Sequence, residues 1–313
     1  MLKRTLVAGL VLIVVFACVF FVLTMPRPLL EEQLPEHRAN IANGELMFWA
    51  GGCASCHAAP GAEGDDLLTL SGGLELGTPF GIFRSPNISP DPEFGIGGWT
   101  DLNFVNAMAK GLSPDNQHYY PAFPYPNYQN ITFGDLLDLR AFLGTLPSSS
   151  NKVADHSLQF PYSFRPALGL WKARYLSRSE SRPSAEADSK LERGRYLVNG
   201  PGHCGACHTP RDQFGGEISE RFLAGAESLE HSPGSDESSA GRIPNITPHA
   251  DGIDGWSESD IAYALETGFD PDFDTFGGSM VEVQENMARL PAADRAAIAA
   301  YLRSIPAIPS ETQ

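Results

Sequence analysis

Two short segments of the same form constrain this chain more than any other feature: CASCH at positions 53–57 and CGACH at positions 204–208. In a CxxCH segment the two thiols can bond to the vinyl groups along one porphyrin edge, while the adjoining histidine coordinates the iron. The residues concerned are Cys53, Cys56 and His57 in the first segment and Cys204, Cys207 and His208 in the second. The sequence therefore predicts two covalently bound haem c groups.

Paired cysteines have two other common uses, a structural zinc site and a thioredoxin-like redox pair. A CxxC pair without histidine would leave both open, but both segments here end in histidine. Zinc would also need all four thiolates at one tetrahedral site, whereas the internal repeat described below assigns each pair to its own half of the chain. Haem attachment is the favoured interpretation.

Chain length and cysteine usage set the context of these segments. The chain has 313 residues, which predicts two domains with linkers. Of its five cysteines only Cys18 lies outside the two segments, so no disulfide framework is available. Because haem attachment in bacteria needs reduced thiols on the far side of a membrane, we expect a periplasmic or equivalent compartment.

An apolar stretch at positions 6–25 follows Lys3 and Arg4. It is long enough to cross a bilayer as one helix, and the preceding positive charges direct the rest of the chain outward. A cleaved signal peptide is the alternative, but its apolar region is usually shorter and ends in a small-x-small site, which is not found near Met25. We expect a membrane anchor or signal at 1–26, with an uncleaved anchor favoured, and a stalk at 27–40.

The formal net charge of the chain is −16. Nucleic-acid phosphates bind basic surfaces, so no nucleic-acid partner is expected. The negative charge could steer a soluble redox partner that has a basic docking face, or it could serve solubility alone.

The two halves of the chain are related by an internal repeat. The segment SPNISPDPEFGIGGWTDLNFVNAMAKG at 85–111 resembles IPNITPHADGIDGWSESDIAYALETG at 243–268. Trp99 and Trp256 are 157 positions apart, as are Gly111 and Gly268, so the copies align without a gap between these residues. Each segment predicts a short helix that ends at its glycine.

Further helices are predicted in both halves. Apolar residues at i, i+3, i+4 and i+7 predict an amphipathic helix that stops before Pro147 in the first half and before Pro306 in the second. These apolar residues are Leu139, Phe142, Leu143 and Leu146, then Ile298, Tyr301, Leu302 and Ile305. Ahead of the CxxCH segments, helices are predicted at 42–50 and 191–198, where Gly44 and Gly194 would permit close helix crossing.

This order of elements resembles the cytochrome c plan in each half. The predicted fold class is all-α, with two tandem class I cytochrome c domains at 41–150 and 191–308 and an N-terminal transmembrane helix. Residues 151–190 are predicted to form a linker. Its aromatic part is expected to pack on the first domain and reads FPYSFRPALGLWKARYL. Its polar part connects the two domains and reads RSESRPSAEADSK. The stretch 227–241 is expected to be a mobile surface loop.

The two halves differ where a sixth iron ligand is expected. Twelve positions after the shared glycine, the second half has Met280 in a Gly-rich loop, and the first half has Phe123. A thioether at Met280 could coordinate the iron opposite His208, and His/Met ligation raises the reduction potential. A gap-filling core methionine is the alternative, and Met287 is the rival ligand.

Phe123 cannot coordinate iron, so the first half needs another ligand or has an open position. His118, five residues earlier, is the first candidate. The alternatives are an exposed or propionate-bonded histidine and an open iron site. We predict that His118→Ala changes the spectrum of the first haem.

Arginine precedes the repeated asparagine in both halves. Arg84 and Arg242 each stand three residues before Asn87 and Asn245, so both copies place a guanidinium at one location. They are candidates for bidentate contacts with haem propionates. Solvated loop arginines are the alternative.

Two further repeated features concern the surroundings of each haem. Trp99 and Trp256 could each donate an indole N–H toward a propionate, although core packing would also explain them. Prolines follow both CxxCH histidines, at Pro60 and Pro210. A backbone carbonyl nearby would fix the tautomer of each imidazole.

Three features carry a family resemblance: the two CxxCH segments, the repeated NI[ST]P and the segment YPAFPY. Over about 44–306 the chain resembles the cytochrome c subunits of membrane-bound bacterial alcohol, aldehyde and gluconate dehydrogenases. Those subunits typically carry three haem domains, and their first-domain loop often reads YPAMPY with the methionine on iron. This chain departs in having two CxxCH segments and Phe123. It is more similar to two-haem, membrane-anchored cytochromes that share HYYPAFPY.

The resemblance implies an electron carrier rather than an enzyme. Electrons would pass from a periplasmic dehydrogenase toward quinone or a terminal oxidase, with the substrate chemistry on another polypeptide. The implied location is the bacterial inner membrane, with the haem domains in the periplasm. An enzymatic alternative is a dihaem peroxidase or sulfur-compound oxidoreductase with an open site at the first haem, and a third is a structural subunit that tethers a dehydrogenase to the membrane.

Overall fold

Most of the longer helices begin at a polar side chain that accepts a hydrogen bond from the backbone of the first turn, as helix starts require. These N-cap residues are Asn40, Thr100, Thr132, Ser189 and Ser257. The two helices of the internal repeat end at Gly111 and Gly268, both in the left-handed conformation. The predicted glycine stops are therefore confirmed.

The computed structural model describes residues 2–176, 189–228 and 241–310, and within them the chain is largely helical. The helices are α1 Leu2–Thr24, α2 Ile41–Ala50, α3 Cys53–His57, α4 Asp101–Lys110, α5 Tyr125–Tyr128, α6 Phe133–Leu143, α7 Leu168–Tyr175, α8 Lys190–Asn199, α9 Gly205–His208, α10 Glu258–Thr267, α11 Met280–Ala288 and α12 Ala292–Ser304. Most of the polar linker predicted at 178–190 and of the loop predicted at 227–241 lies outside the described residues.

In each half the helix before the CxxCH segment crosses the C-terminal helix at a glycine. A Cβ placed on Gly44 of α2 would lie 2.1 Å from the carbonyl oxygen of Asp138 in α6. A Cβ on Gly194 of α8 would lie 1.9 Å from the carbonyl oxygen of Ala297 in α12. Only a residue without a side chain permits these approaches, which confirms the predicted close crossings.

Short strands form two small sheets beside the helices. The strands are β1 Glu75–Thr78, β2 Gly81–Arg84, β3 Ser157–Leu158, β4 Ala226–Glu227 and β5 Arg242–Ile243. The order is β1-β2-β3 in one sheet and β4-β5 in the other, with antiparallel pairing throughout. In register, Glu75 faces Arg84 and Glu227 faces Arg242. None of these strands was predicted from the sequence.

Helix α1 is almost fully exposed along its length. Within the described part of the chain it is the one helix long and apolar enough to cross a membrane, with a mean hydropathy of 3.3 over its most apolar stretch. A membrane anchor and a signal sequence both meet this description. Its last residue, Thr24, is buried at 5 % exposure, because this end of α1 packs against α7.

The segment after α1 is bonded to the first half of the chain. The backbone N–H of Leu29 donates to Oδ1 of Asn106 at 2.7 Å, and Leu29 belongs to the hydrophobic core. His37 binds Asp138 at 2.6 Å, and the same carboxylate oxygen accepts from the N–H of Asn40. The predicted stalk region thus includes residues that are fixed to α4 and α6.

The two halves share one hydrophobic core, and polar contacts join them at its edge. The Tyr196 hydroxyl of α8 donates to the Asp135 carboxylate of α6, and the N–H of Thr132 donates to the same hydroxyl at 3.3 Å. Asn130 donates to the carbonyl of Asn199 at 3.0 Å. These contacts fix α8 beside the start of α6.

Candidate haem sites

The two CxxCH segments have the same backbone arrangement. The first forms α3 and the second forms α9. The residue before the first cysteine is left-handed in both, with φ of 57° at Gly52 and 36° at His203. This conformation turns the chain sharply from the preceding helix into the segment.

Each CxxCH histidine is held by a proline carbonyl from the repeated segment. Nδ1 of His57 donates to the carbonyl of Pro86, and Nδ1 of His208 donates to that of Pro244, both at 2.8 Å. These bonds leave Nε2 as the ring atom with a lone pair, which suits a metal ligand. The predicted backbone carbonyl is present in both halves, but it belongs to the prolines of the repeat and not to Pro60 or Pro210.

A glycine that the sequence analysis did not identify holds the backbone of each histidine. The N–H of Gly72 donates to the carbonyl of His57 at 2.7 Å, and that of Gly225 donates to the carbonyl of His208 at 2.8 Å. Both glycines have positive φ, and a Cβ on Gly72 would lie 2.5 Å from the backbone of Pro86. Their spacing gave no signal in the sequence, because Gly72 precedes Asn87 by 15 residues whereas Gly225 precedes Asn245 by 20.

The repeated asparagines connect this loop to the segment after the C-terminal helix. Asn87 Nδ2 donates to the carbonyl of Ser149 at 2.7 Å, and Asn245 Nδ2 donates to that of Ile308 at 2.8 Å. Their Oδ1 atoms accept from backbone N–H groups two residues on. Each asparagine side chain therefore both donates and accepts, which gives the repeated NI[ST]P segment a structural role in both halves.

The electrostatics of the segments fit a haem attached through thioethers. Burial raises the pKa of the Cys53 and Cys204 thiols to about 12, so their surroundings favour an uncharged sulfur. A thioether is uncharged, whereas a zinc-bound thiolate is not. Burial also lowers the pKa of His57 and His208, which keeps the imidazoles neutral as iron ligation requires. When bound, haem supplies reversible one-electron chemistry at its iron.

The loops after α4 and α10 have equivalent geometry. The N–H of Tyr119 donates to the carbonyl of Gly111 at 2.7 Å, and 157 positions later the N–H of Phe276 donates to that of Gly268 at 3.0 Å. Isolated bridges join Leu112 to His118 and, with the same offset, Phe269 to Thr275. His118 therefore corresponds to Thr275, and the alignment of Phe123 with Met280 lies only four residues beyond this shared frame.

Met280 lies at the start of α11 and is half-buried, although the sequence analysis placed it in a loop. Met287, the rival ligand, is buried in the hydrophobic core. Phe123 packs among aromatic rings, with centroid distances of 5.9 Å to Tyr119 and 5.7 Å to Tyr128. The position that holds Met280 in the second half is thus held in the first half by Phe123, as part of an aromatic cluster.

His118 contacts the end of the N-terminal helix. Its Nε2 donates to the carbonyl of Thr24 at 2.8 Å, and its carbonyl accepts from Arg165. The ring is buried, and its Nδ1 is without a hydrogen bond. The structure therefore gives His118 a role in fixing the end of α1 that its sequence context did not predict.

Arg84 and Arg242 occupy equivalent places on the short strands. Arg84 Nε donates to Glu75 at 2.7 Å across the β1-β2 pair, and Arg242 is exposed opposite Glu227 in the β4-β5 pair. The repeated arginine thus faces a glutamate on the neighbouring strand in both halves. The propionate contacts stay predictions.

Trp99 and Trp256 are half-buried and pack against the core. An arginine of each C-terminal helix holds the neighbouring backbone, since Arg140 donates to the carbonyl of Trp99 and Arg303 to the carbonyl of Ile253. This packing suffices to explain both indoles, and a propionate contact stays a prediction.

The two CxxCH regions contact each other where the halves meet. Nε2 of His203 lies 3.3 Å from the carbonyl oxygen of Gly51, two residues before Cys53. Asn286 of α11 donates to the hydroxyl of Ser55, inside the first CxxCH segment, at 2.7 Å. The Arg289 guanidinium lies 4.0 Å from the ring of Trp49. The two attachment segments are therefore held next to each other by contacts of the protein itself.

Comparison with known proteins agrees with this arrangement. The cytochrome c family model matches residues 41–147. A protein described as "Diheme cytochrome c-type" from Cereibacter sphaeroides is 46 % identical over 311 residues, which cover 98 % of this chain and all of that protein.

Relatives that belong to dehydrogenases are also similar. The cytochrome c subunit of alcohol dehydrogenase (quinone) from Gluconobacter oxydans is 36 % identical over 87 % of this chain and 56 % of its own length. The gluconate 2-dehydrogenase cytochrome c subunit from Pantoea cypripedii is 34 % identical over 87 % and 62 %. The chain spans little more than half of these subunits. It belongs to the cytochrome c family and carries two covalently bound haem c groups.

Proposed function

We propose that this chain is a membrane-anchored, periplasmic dihaem cytochrome that transfers electrons from a periplasmic dehydrogenase to the respiratory chain. It consists of two tandem class I cytochrome c domains, at 41–150 and 191–308. The first haem is bonded to Cys53 and Cys56 with His57 on its iron. The second is bonded to Cys204 and Cys207 with His208 on its iron.

The contact between the two CxxCH regions carries this proposal. Asn286 bonds Ser55 and His203 lies against the carbonyl of Gly51, so the two attachment segments are held together by the protein itself. A carrier with two haems needs such fixed proximity, because electrons must pass from one haem to the other. Fixed proximity also suits a dihaem oxidoreductase, which the carbon monoxide experiment below separates from a carrier.

The relatives support a dehydrogenase as the electron donor. Several are named as cytochrome subunits of dehydrogenases that act on alcohol, fructose or gluconate. We infer that this chain also accepts electrons from a dehydrogenase on a separate polypeptide and passes them to a respiratory acceptor. The acidic charge of −16 suits a donor or acceptor with a basic docking face.

The contacts of Thr24 and Leu29 support an uncleaved anchor at the inner membrane. Removal of α1 would take the carbonyl of Thr24 from His118, whose ring is buried. Loss of a partner from a buried polar group costs about 1–3 kcal/mol. Chain that is bonded to the folded protein on both sides of Met25 is poorly suited to cleavage there.

We propose Met280 as the sixth ligand of the second haem. The shared frame of hydrogen bonds that ends at Phe276 supports this choice over Met287, which is already buried in the core. For the first haem, His118 stays the candidate only through Nδ1, because Nε2 is bonded to Thr24. An unchanged spectrum of the first haem in His118→Ala would show that His118 is not a ligand and serves only in the contact with α1.

Membranes from cells that do or do not make the chain test the proposed function. We expect an alcohol, an aldehyde or a sugar acid to reduce both haems in membranes that contain the chain, and oxygen to reoxidise them. Membranes with His57→Ala or His208→Ala, at equal abundance, should lose this turnover. Undiminished oxygen uptake in both variants would contradict the proposal and favour a tethering role.

Phe123 favours one alternative, a dihaem oxidoreductase with an open site at the first iron. Carbon monoxide binding to the reduced protein separates the two functions. Stoichiometric binding at the first haem would favour substrate chemistry there, whereas no binding would support two fully coordinated irons and a carrier.

A further inference from the structure

We propose that an aromatic patch on the segment after β3 rests on the bilayer surface beside α1 and orients the haem domains relative to the membrane. The aromatic patch consists of Phe160, Tyr162, Phe164 and Leu170. This inference rests on the proposed anchor, and it adds a second membrane contact that is distant from α1 in sequence.

The four side chains of the aromatic patch are unusually exposed for apolar residues so close in the sequence. Phe160 is 84 % exposed, Tyr162 47 %, Phe164 48 % and Leu170 42 %. Single exposed hydrophobic residues are normal on protein surfaces, but a group of them marks an interaction site. Tyrosine side chains favour the interface between lipid and water, and phenylalanine and leucine side chains supply the apolar face by which interfacial segments enter the lipid.

Direct contacts place Phe164 and the start of α7 at the level of the last turn of α1. The rings of Phe20 and Phe164 stack at a centroid distance of 6.0 Å. One residue before Leu170, Gly169 lies so close to Thr24 that an added Cβ would be 2.4 Å from its Cα. If α1 spans a bilayer, its last turn lies at the membrane surface, and Phe164 and the start of α7 lie at that level with it.

The patch is held by the first half of the chain and not by α1 alone. Strand β3 pairs with β2, and the Tyr162 ring lies 4.8 Å from that of Phe80 at the tip of the β1-β2 hairpin. The N–H of Phe164 donates to the carbonyl of Pro161 at 3.0 Å, which closes a tight turn within the patch. Contact with the bilayer would therefore fix the tilt of the whole first half.

The charges around the patch favour lipid headgroups as its partner. Residues 160–176 contain Arg165, Lys172 and Arg174 and no acidic residue, within a chain whose net charge is −16. Arg174 is 67 % exposed, with Asp212 at 3.9 Å, and Arg27 is exposed just after α1. Lys172 is buried, and Arg165 donates to the carbonyl of His118, so Arg27 and Arg174 are the cations available to anionic headgroups.

Site-directed spin labelling of the full-length, haem-loaded protein in nanodiscs of phosphatidylethanolamine and phosphatidylglycerol tests the proposal. One variant carries Phe160→Cys and a matched control carries Phe273→Cys, both with Cys18→Ser. Phe273 is 76 % exposed on the loop after α10 in the second half. We expect the ratio of oxygen to nickel-chelate accessibility to be severalfold higher at position 160 than at position 273.

Labelling of native Cys18 separates failure of this inference from failure of the anchor. A label within the lipid at Cys18 together with water-like accessibility at position 160 would overturn the aromatic patch as a membrane contact and leave the anchor intact. Absence of Cys18 from the mature protein would overturn both. Unchanged haem spectra verify that each labelled variant is folded.

Discussion

At the scale of single residues, Met280 and Phe123 show how two copies of one loop diverge. The backbone frame is the same through Tyr119 and Phe276, with the same hydrogen bond to the preceding glycine. The side chains that follow differ in chemistry, because a thioether can bind iron and a phenyl ring cannot. We therefore expect the two haems to have different potentials.

Met280→Leu should lower the reduction potential of the second haem, because a thioether ligand raises it. The fall should be a measurable part of the roughly 0.8 V range that axial ligands span. A redox titration followed by magnetic circular dichroism measures this change and detects the near-infrared methionine band. Met287→Leu is the control, and persistence of the band in Met280→Leu with its loss in Met287→Leu would reverse the assignment.

Lys172 should make stability depend on pH. Its Nζ donates to the carbonyls of Lys110 and Gly111 at 2.8 and 2.6 Å, and burial lowers its pKa to about 7. In the unfolded chain a lysine titrates near 10.4. The unfolded state therefore binds more protons between these values, so Lys172 destabilises most below about pH 7 and this cost disappears toward roughly pH 10.

The measurement compares denaturant unfolding of the native chain and Lys172→Met at pH 7 and pH 10. The free energy of unfolding of the native chain, relative to the variant, should rise with pH by on the order of a few kcal/mol. The ring of Tyr125, 4.6 Å from Nζ, favours the charged form and limits the rise. A pH-independent difference would mean that Lys172 keeps the same charge in both states.

At the scale of elements, the crossing of α2 with α6 is set by the absence of a side chain at Gly44. Gly44→Ala should lower the free energy of unfolding by about 3 kcal/mol, because the helices must separate to accept the methyl group. Gly134→Ala is the matched control within α6. Its added Cβ would meet only ordinary contacts from 3.4 Å, and because Gly134 lies in the first turn of α6 the change in stability should be below about 1 kcal/mol.

Thermal unfolding of the two haem-loaded variants, followed by circular dichroism, checks these values. Equal stability of Gly44→Ala and the native chain would show that the helices can move apart at little cost. Of the two helices at this crossing, α6 was predicted from its apolar periodicity and α2 as a helix ahead of the CxxCH segment. The close crossing was predicted from the glycine alone, and a glycine does not indicate which residue of the other helix it contacts.

At the scale of the whole molecule, the hydroxyl of Tyr196 joins the two halves. It donates to the buried carboxylate of Asp135 and accepts from the N–H of Thr132, both in the first half. Tyr196→Phe should cost about 1–3 kcal/mol, because buried groups lose their partner. We expect calorimetry to show one transition for the native chain and separate transitions for Tyr196→Phe.

Tyr301→Phe is the control for this prediction. Its hydroxyl accepts from Asn199 at 3.1 Å within the second half and is only half-buried. Loss of this bond should change stability without separating the transitions. The same number of transitions in Tyr196→Phe as in the native chain would show that the shared core alone couples the halves.

The sequence by itself determined the features that depend on residues close together in the chain. A CxxCH segment brings two thiols and an imidazole together over five positions, and the glycine stops and apolar periodicities act within a few helical turns. The comparison of two copies in one chain added the position of Met280. These features need no knowledge of the fold, because their partners are close in sequence or are repeated.

Only the tertiary structure decided the contacts between distant residues. His118 bonds Thr24 across 94 positions, Asn286 bonds Ser55 across 231, and the aromatic patch meets α1 through Phe164 and Phe20. A histidine in a loop has many possible partners, and its choice depends on which distant backbone carbonyl the packing brings near. The helices of the repeat, the helices beside each CxxCH segment and the haem attachment were therefore predictable from local spacing. The start of α11 at Met280, the joining of the two halves and the docking of α1 depended on the packed chain.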